Sequence, residues 1–310
     1  MNLNDPIFTD EAKARTYFEA IRWPDGISCP HCGGTERCYR LSGKSHRPGL
    51  IHCNDCSGSF TVTTGGVMES SKIPLTKWAL GFRLYAASKK GFSAHQLHRS
   101  LGITYKTAWF MAMRIREAMA PLEGNAPIGG KGRIVEADET ELSPSRKSKR
   151  RSRAKNKRFV ALVERDGSVR SVVIDGADSQ AIRAAIARHV HPESTLHTDG
   201  AQVYRYSDLP APSGLVAKHE SVDHNKQYAR KGETGTVHTN TAEGYFSIFK
   251  RGLVGTYQHI GEQHMGRYLA EFDFRQNNRV RLGVNDEMRT ARAIKGAEGK
   301  RLTYRQPNAA

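Results

Sequence analysis

The sequence predicts an α/β protein assembled from one larger sheet domain and several small helical or metal-held parts. Three observations predict it. Residues 131–199 alternate apolar strand-like runs with a helical run, residues 29–66 concentrate Cys, Gly and His, and residues 74–120 carry helical periodicity. A length of 310 residues leaves room for one large domain plus one or two small ones. The expected division is a helical segment over 1–28, a cysteine-rich module over 29–66, a helical region over 74–120, the sheet domain over 131–280 and a C-terminal tail over 281–310.

Charge narrows the partners. Basic residues number 48 against 31 acidic ones, a formal net charge of +17. An excess of that size favours a polyanion, nucleic acid first and an anionic membrane second. No apolar run reaches the roughly 18 residues that a spanning helix needs, so no membrane partner is expected. The opening MNLNDPIFTDEAKARTYFEAIRWPDG is charged throughout, unlike a secretory signal. A cytoplasmic protein is expected, nucleoid-associated when bound to DNA. Disulfides are then not expected, and clustered cysteines read as metal sites.

An amphipathic helix is expected from Asp10 to Ala20, followed by a Pro-Gly turn. Cys29-Pro-His-Cys32 and Cys53-Asn-Asp-Cys56 then form two CxxC pairs separated by twenty residues. Two residues between cysteines let both sulfurs of a knuckle reach one ion, and two knuckles supply the four thiolates that structural zinc prefers. Cys38 is left over as a spare, buried thiol, and His31 and His52 are not needed as ligands. With few apolar side chains in about forty residues, the metal supplies folding energy. Such a ribbon binds DNA, binds protein or braces a neighbour.

Pro74 and Thr76 signal a helix whose apolar face carries Trp78, Leu80, Phe82, Leu84 and Tyr85. A short helix over 93–100, a turn at Leu101-Gly102-Ile103 and a helix from Thr104 follow. This helix-turn-helix-like pattern places its second helix in a major groove. Tyr105, Lys106, Arg114 and Arg116 then offer DNA contacts. The bland alternative is a three-helix bundle with Met111, Met113 and Met119 as core filler. PLEGNAPIGGKG (121–132) reads as a linker. RKSKRRSRAKNKR (146–158) carries nine basic residues in thirteen, and Arg150, Arg151 and Arg153 suit phosphate binding from a solvated loop.

The sheet domain runs strand RIVEAD, basic loop, strand FVALVER, turn Asp166-Gly167, strand VRSVVID, helix SQAIRAAIARHV, strand TLHTD. Three strands, a helix and a further strand open an RNase H-like fold, in which a carboxylate sits on the first strand and another ends the fourth. Asp138 and Asp199 fall at those places. Phosphoryl transfer assisted by two hard cations, magnesium or manganese, needs such oxygen ligands converging from different elements. Asp175, Asp178, Asp223, Glu139 and Glu141 are lesser rivals.

The third acid is expected in HTNTAEGYFSIFKRG. Glu243 and Lys250 differ by about 20° around a helix, whereas Asn240 and Lys250 differ by about 80°. Glu243 is therefore the expected metal ligand, Lys250 the phosphate grip, Arg251 a further DNA contact, and Asn240 the helix cap or a neighbour of the metal's water shell. Asn240 and Glu243 also approximate a capping box, the structural alternative for both.

These segments resemble a known family. CPHCGG with CNDCSGSFTVTTGGVMESSKIPL looks like the zinc-ribbon head of bacterial insertion-sequence transposases. VEADET, HTDG and VHTNTAEGYFSIFKRGLVGTYQHIGEQHMGRYLAEFDFRQNNR look like their DDE catalytic domain. The resemblance, to the fifteen-ninety-five family of insertion sequences, covers roughly residues 20–280. It implies metal-dependent hydrolysis and strand transfer at the ends of a mobile element, cut-and-paste or copy-type. The family's motif positions fall on Asp138, Asp199, Asn240, Glu243 and Lys250. Double-stranded DNA, as element ends and target, is the implied partner, with a homo-oligomer assembled on it. One departure stands out: after Asp138-Glu139-Thr140 the family tends to continue with an aromatic and glycines, whereas this chain has Glu-Leu-Ser-Pro-Ser and the basic loop. Two other functions fit the same pattern: a catalytically inactive DNA-binding regulator derived from a transposase, and a non-mobile RNase H-like nuclease.

Overall fold

A computed structural model describes residues 2–121, 126–142, 157–174, 179–204, 215–223 and 226–303. The chain divides into two compact units, residues 1–120 with 284–310, and residues 121–283.

The first unit opens with α1 (Glu11–Arg22), whose N-cap Asp10 accepts from Ala12 N and Lys13 N. A three-stranded antiparallel ribbon follows, β1 (Cys38–Arg40), β2 (Ile51–Cys53) and β3 (Ser59–Phe60). Next comes α2 (Leu75–Ala87), which buries Trp78, Phe82 and Tyr85 while Leu80 and Leu84 are half-buried. Its N-cap, Pro74, has no side-chain acceptor. Glu11 serves instead, its two oxygens accepting from Leu75 N (2.9 Å) and Thr76 N (3.2 Å). Helices α3 (Ala94–Leu101) and α4 (Tyr105–Met119) form the expected helix-turn-helix-like pair. A Ser93–Gln96 capping box starts α3, Gly102 ends it at φ +57°, and Thr104 caps α4.

The second unit contains a five-stranded mixed sheet. Its strands are β4 (Ile134–Leu142), β5 (Lys157–Glu164), β6 (Val169–Ile174), β7 (Thr195–Asp199) and β8 (Lys218–Val222), in the order β6-β5-β4-β7-β8. Pairing is antiparallel for β4–β5 and β5–β6, and parallel for β4–β7 and β7–β8. This is the RNase H-like order. Helix α5 (Ser179–His189) covers one face, where Ile182 and Ile186 join Val135, Ala137, Val160, Leu162, Leu196 and Tyr204. A hairpin, β9 (Arg230–Gly232) with β10 (Gly235–Val237), precedes α6 (Asn240–Gly252). Phe246 and Phe249 of α6 pack edge-on to Phe159 of β5, with centroids 5.4 and 5.1 Å apart. The alternation of β5 thus sends Val160 and Leu162 to α5 and Phe159 to α6, which is why FVALVE reads as apolar throughout.

Helix α7 (Met265–Asn277) covers the outer edge of β6. Asn277 accepts from Val169 N (2.6 Å) and donates to Val169 O (3.0 Å). One turn earlier, Asp273 accepts from Ser171 N (2.8 Å), Ser171 Oγ (2.8 Å) and Tyr245 Oη (2.6 Å). The i, i+4 spacing on the helix matches the i, i+2 spacing of outward N–H groups on the strand, so an open edge is closed by side chains. Burial pushes the Asp273 carboxyl up to about 6.

Residues 281–310, expected as a tail, instead carry α8 (Asp286–Lys295), which belongs to the first unit. Arg289 donates to Ala86 O at the end of α2, Lys295 to Arg22 O, and Lys300 to Glu117 O at the end of α4. A Cβ on Gly296 would lie 2.3 Å from Ala118 O. Among the described residues, no helix is long and apolar enough to cross a membrane.

Replacing Asp273 by Ala should take the acceptor from three donors, Ser171 N, Ser171 Oγ and Tyr245 Oη, and lower the unfolding free energy by about 2–4 kcal/mol. Denaturant titration measures this, and a loss under about 1 kcal/mol would show that the edge clamp adds nothing beyond an ordinary hydrogen bond.

Candidate metal centre and active site

The two CxxC segments fold as knuckles. Cys29 N donates to Gly34 O and Gly33 N to Cys29 O, while Cys53 N donates to Gly58 O, each at 2.9 Å. Gly33 (φ +79°) and Ser57 (φ +56°) take the left-handed turns. Sulfur separations are 3.7 Å for Cys29–Cys56 and 3.7 Å for Cys32–Cys53, and all four sulfurs lie within 4.8 Å of one another. Four sulfurs at about 2.3 Å from a tetrahedral zinc would stand about 3.8 Å apart, so the thiols fit that ion closely. Cys38 is half-buried, lies opposite Cys53 in the ribbon register and contacts Gly34 O (3.5 Å). It stands outside the group of four, as do His31 and His52.

The acidic site starts from strand register. Parallel pairing of β4 with β7 sets Glu136 against His197 and Ala137 against Thr198. One further step of the same offset sets Asp138 beside Asp199. Side chains at matched positions of parallel neighbours share a face, and here it is the face under α6. Both aspartates are half-buried. Burial pushes the Asp138 carboxyl up to about 7, helped by the charges of Asp199, Glu139 and Glu243. Asp199 and Glu243 thus both act electrostatically on Asp138. Among the described residues only the four thiols form a group of three or more ligands within 4.8 Å of one another.

A second polar row lies one strand repeat back. Glu136, His197 and Glu220 are aligned across β4, β7 and β8, all buried. Glu136 is the hub. It accepts from Thr241 N (2.8 Å), Ala242 N (3.1 Å) and Thr241 Oγ1 (3.0 Å) on α6, and from Arg165 Nε (2.7 Å). Arg165 also donates to Thr236 O (2.8 Å) and His238 O (3.0 Å) and lies 3.1 Å from His197 Nδ1. Glu220 accepts from Glu233 N (3.0 Å) and from the Thr234 hydroxyl. Burial and the Arg165 charge hold His197 down at about 4, far below 6.5.

This row corrects one expectation. Asn240 is not the N-cap of α6; it is the first helical residue, exposed, after Thr239. Of the first-turn N–H groups, those of Thr241 and Ala242 go to Glu136 and that of Asn240 to His238 Nδ1, so the Asn240–Glu243 capping box does not form. The missed residue carried a signal: in Val-Glu-Ala-Asp, Glu136 must share a strand face with Asp138.

Other expected residues divide. Lys250 and Arg251 are exposed on α6, with Arg251 Nε donating to Ser247 O. Tyr105 and Lys106 are exposed at the start of α4, and Tyr105 stacks on His95 at 4.3 Å. Arg116 is 1% exposed and donates to Tyr85 Oη, which rules it out as a DNA contact. Arg114 is half-buried, lies over Phe110 and donates to Leu302 O and Glu69 O. Arg150, Arg151 and Arg153, with most of the basic loop, fall outside the described residues, as do Asp175 and Asp178. Glu139 accepts from Tyr204 Oη (2.5 Å), and Glu141 pairs with Arg158.

Comparison with known proteins now bears on the whole chain. Residues 124–277 match the model of the ISXO2-like transposase domain, and residues 9–59 match the transposase zinc-ribbon domain. The chain belongs to the ISXO2-like transposase family. The transposase is 28% identical over 287 residues to an uncharacterized protein in transposable element ISH50 of Halobacterium salinarum, covering 87% of this chain and 92% of that protein. A solved simian T-cell lymphotropic virus intasome in complex with PP2A regulatory subunit B56 gamma aligns over 62% of the transposase and 67% of that chain, at 13% identity and a TM-score of 0.30.

Two outcomes are expected. Cys29→Ser with Cys53→Ser should release zinc and unfold the ribbon; one zinc per chain retained in the double variant, by metal analysis, would refute a four-thiolate site. For His197, a folded value near 4 against 6.5 means that the unfolded chain takes up a proton first as pH falls. Stability should therefore fall between about pH 6.5 and 4, by on the order of 2–3 kcal/mol. His197→Gln should flatten that part of the profile, and an unchanged slope in thermal melts would contradict a neutral buried imidazole.

Proposed function

We propose that this transposase binds the ends of its insertion sequence and, with magnesium or manganese held by Asp138, Asp199 and Glu243, cleaves DNA strands and joins them to a target. One observation supports the reading: the parallel register of β4 and β7, continued one step past Ala137–Thr198, sets Asp138 beside Asp199, and the charges of Asp199 and Glu243 help to raise the Asp138 carboxyl. Holding like charges together raises the free energy of the ionised site, and divalent cations relieve that cost. Bound there, the cations supply activation of the attacking hydroxyl and stabilisation of the leaving oxygen. The protein's own part is placement: strands β4 and β7 fix two carboxylates, α6 brings the third, and Lys250 and Arg251 grip DNA phosphates from the same helix. Asn240, exposed at the start of α6, stands beside Glu243 and orders the water around the ions.

End recognition falls to Tyr105 and Lys106 at the exposed start of α4, the position from which a helix-turn-helix reads a groove. The basic loop with Arg150, Arg151 and Arg153 adds affinity independent of sequence. Two ends must be held together for strand transfer, so a homo-oligomer on DNA is the working form. Zinc braces the ribbon.

The test is a duplex carrying the element's terminal inverted repeats, incubated with magnesium or with chelator. Asp138→Asn and Asp199→Asn should keep DNA binding and lose cleavage by more than about 100-fold, beyond the range for loss of an outer-shell partner. Cleavage by either variant at near wild-type rate overturns the reading.

A further inference from the structure

We infer that Glu136 is a positioning residue for the acidic site: its carboxylate clamps the first turn of α6 to β4 and so sets Glu243 against Asp138. The inference rests on the proposed metal site and says how that site is held.

The geometry is a short lever with both arms on the page. On the strand side, Glu136 and Asp138 are two residues apart and share a face, a fixed offset of about 6.7 Å along a strand. On the helix side, Glu136 binds Thr241 and Ala242, the residues just before Glu243. The gap between Asp138 and Glu243 is therefore spanned by two rigid segments and one hydrogen-bonded joint. The local contribution at this end is one bond, from Asn240 N to His238 Nδ1 (3.3 Å), which leaves Thr241 N and Ala242 N to Glu136.

The joint is stiffened from behind. Arg165 bonds Glu136 and also grips the carbonyls of Thr236 and His238, on the stretch that leads into α6. The carboxylate is fully buried, and these donors, with the positive end of the α6 dipole, surround it. A glutamine in its place would set an NH2 either against Thr241 N and Ala242 N or against Arg165 Nε. Shape is kept, but in either orientation a donor–donor clash replaces a bond that holds or stiffens the joint. A residue with only a structural role would change stability and leave the cation affinity of folded protein alone; a positioning residue changes that affinity.

The experiment measures manganese binding to the full-length, zinc-loaded protein by electron paramagnetic resonance, alongside thermal melts and cleavage rates. Glu136→Gln should melt cooperatively and bind manganese about 10–100-fold more weakly, with cleavage recovering as manganese is raised. Manganese affinity within twofold of wild type overturns the inference. If Glu136→Gln does not fold, Thr241→Val carries the test. It removes one bond to Glu136, and affinity should fall about three- to tenfold, the size of one net hydrogen bond; unchanged affinity again overturns the inference. Asp138→Asn separates the two ideas. If it abolishes manganese binding while the Glu136 and Thr241 variants do not alter it, only the positioning role fails. If Asp138→Asn binds manganese normally, the metal site itself is wrong and the positioning role falls with it.

Discussion

The second unit is organised by one constraint, the parallel pairing of β4 with β7. Two strands that run the same way cannot be joined by a tight turn, so the chain must leave the sheet and return. It does so through the β5–β6 meander and α5, and that path fixes the order β6-β5-β4-β7-β8. The pairing also matches positions on neighbouring strands, which puts Glu136 beside His197 and Ala137 beside Thr198, and the same offset continued one step brings Asp138 to Asp199. Polar rows in the middle of a sheet are costly unless each group is answered. Arg165, the start of α6 and the β9–β10 hairpin answer the first row. The second row is left with crowded carboxylates, and this is where chemistry is to be sought.

How much of this was legible depended on the range of the signal. Cys29, Cys32, Cys53 and Cys56 announce themselves because zinc knuckles are local. Asp138 and Asp199 stand out because each follows an apolar strand with no structural need for charge. The boundaries of α3 and α4 were readable from Ser93, Gly102 and Thr104, whose capping acts within a turn. Arg116 misled because an arginine on a helix looks solvent-facing; its partner, Tyr85, lies on another helix. Helix α8 was invisible because its partners, α1, α2 and the end of α4, are some two hundred residues distant, and its charged composition looks like a tail.

The capping of α2 and α6 shows the same limit. Asp10, Ser93, Thr104 and Asn285 cap their own helices and can be read from sequence. Helices α2 and α6 instead borrow a carboxylate, Glu11 at a separation of 64 residues and Glu136 at 105. A borrowed cap ties two elements together as well as satisfying N–H groups, so it records tertiary structure that no local pattern contains. In α6 it also removes the apparent ambiguity of Asn240, which looked like a cap only because the true one was out of view.

Helix α8 has a consequence for how such a chain decays. The first unit is discontinuous: residues 121–283 are inserted between α4 and the helix that fastens α1, α2 and α4. During synthesis the ribbon and the three helices of the amino-terminal part emerge early, yet their last buried helix emerges only after the whole inserted unit. A frameshift or stop codon anywhere in the insertion deletes α8, and one ahead of Asp138 deletes the three acids as well. The amino-terminal fragment then exposes the apolar surface that Ala293 and Ile294 cover. Truncation thus also costs the amino-terminal part its last buried helix, whereas a missense change at a single acid would leave a full-length, folded chain.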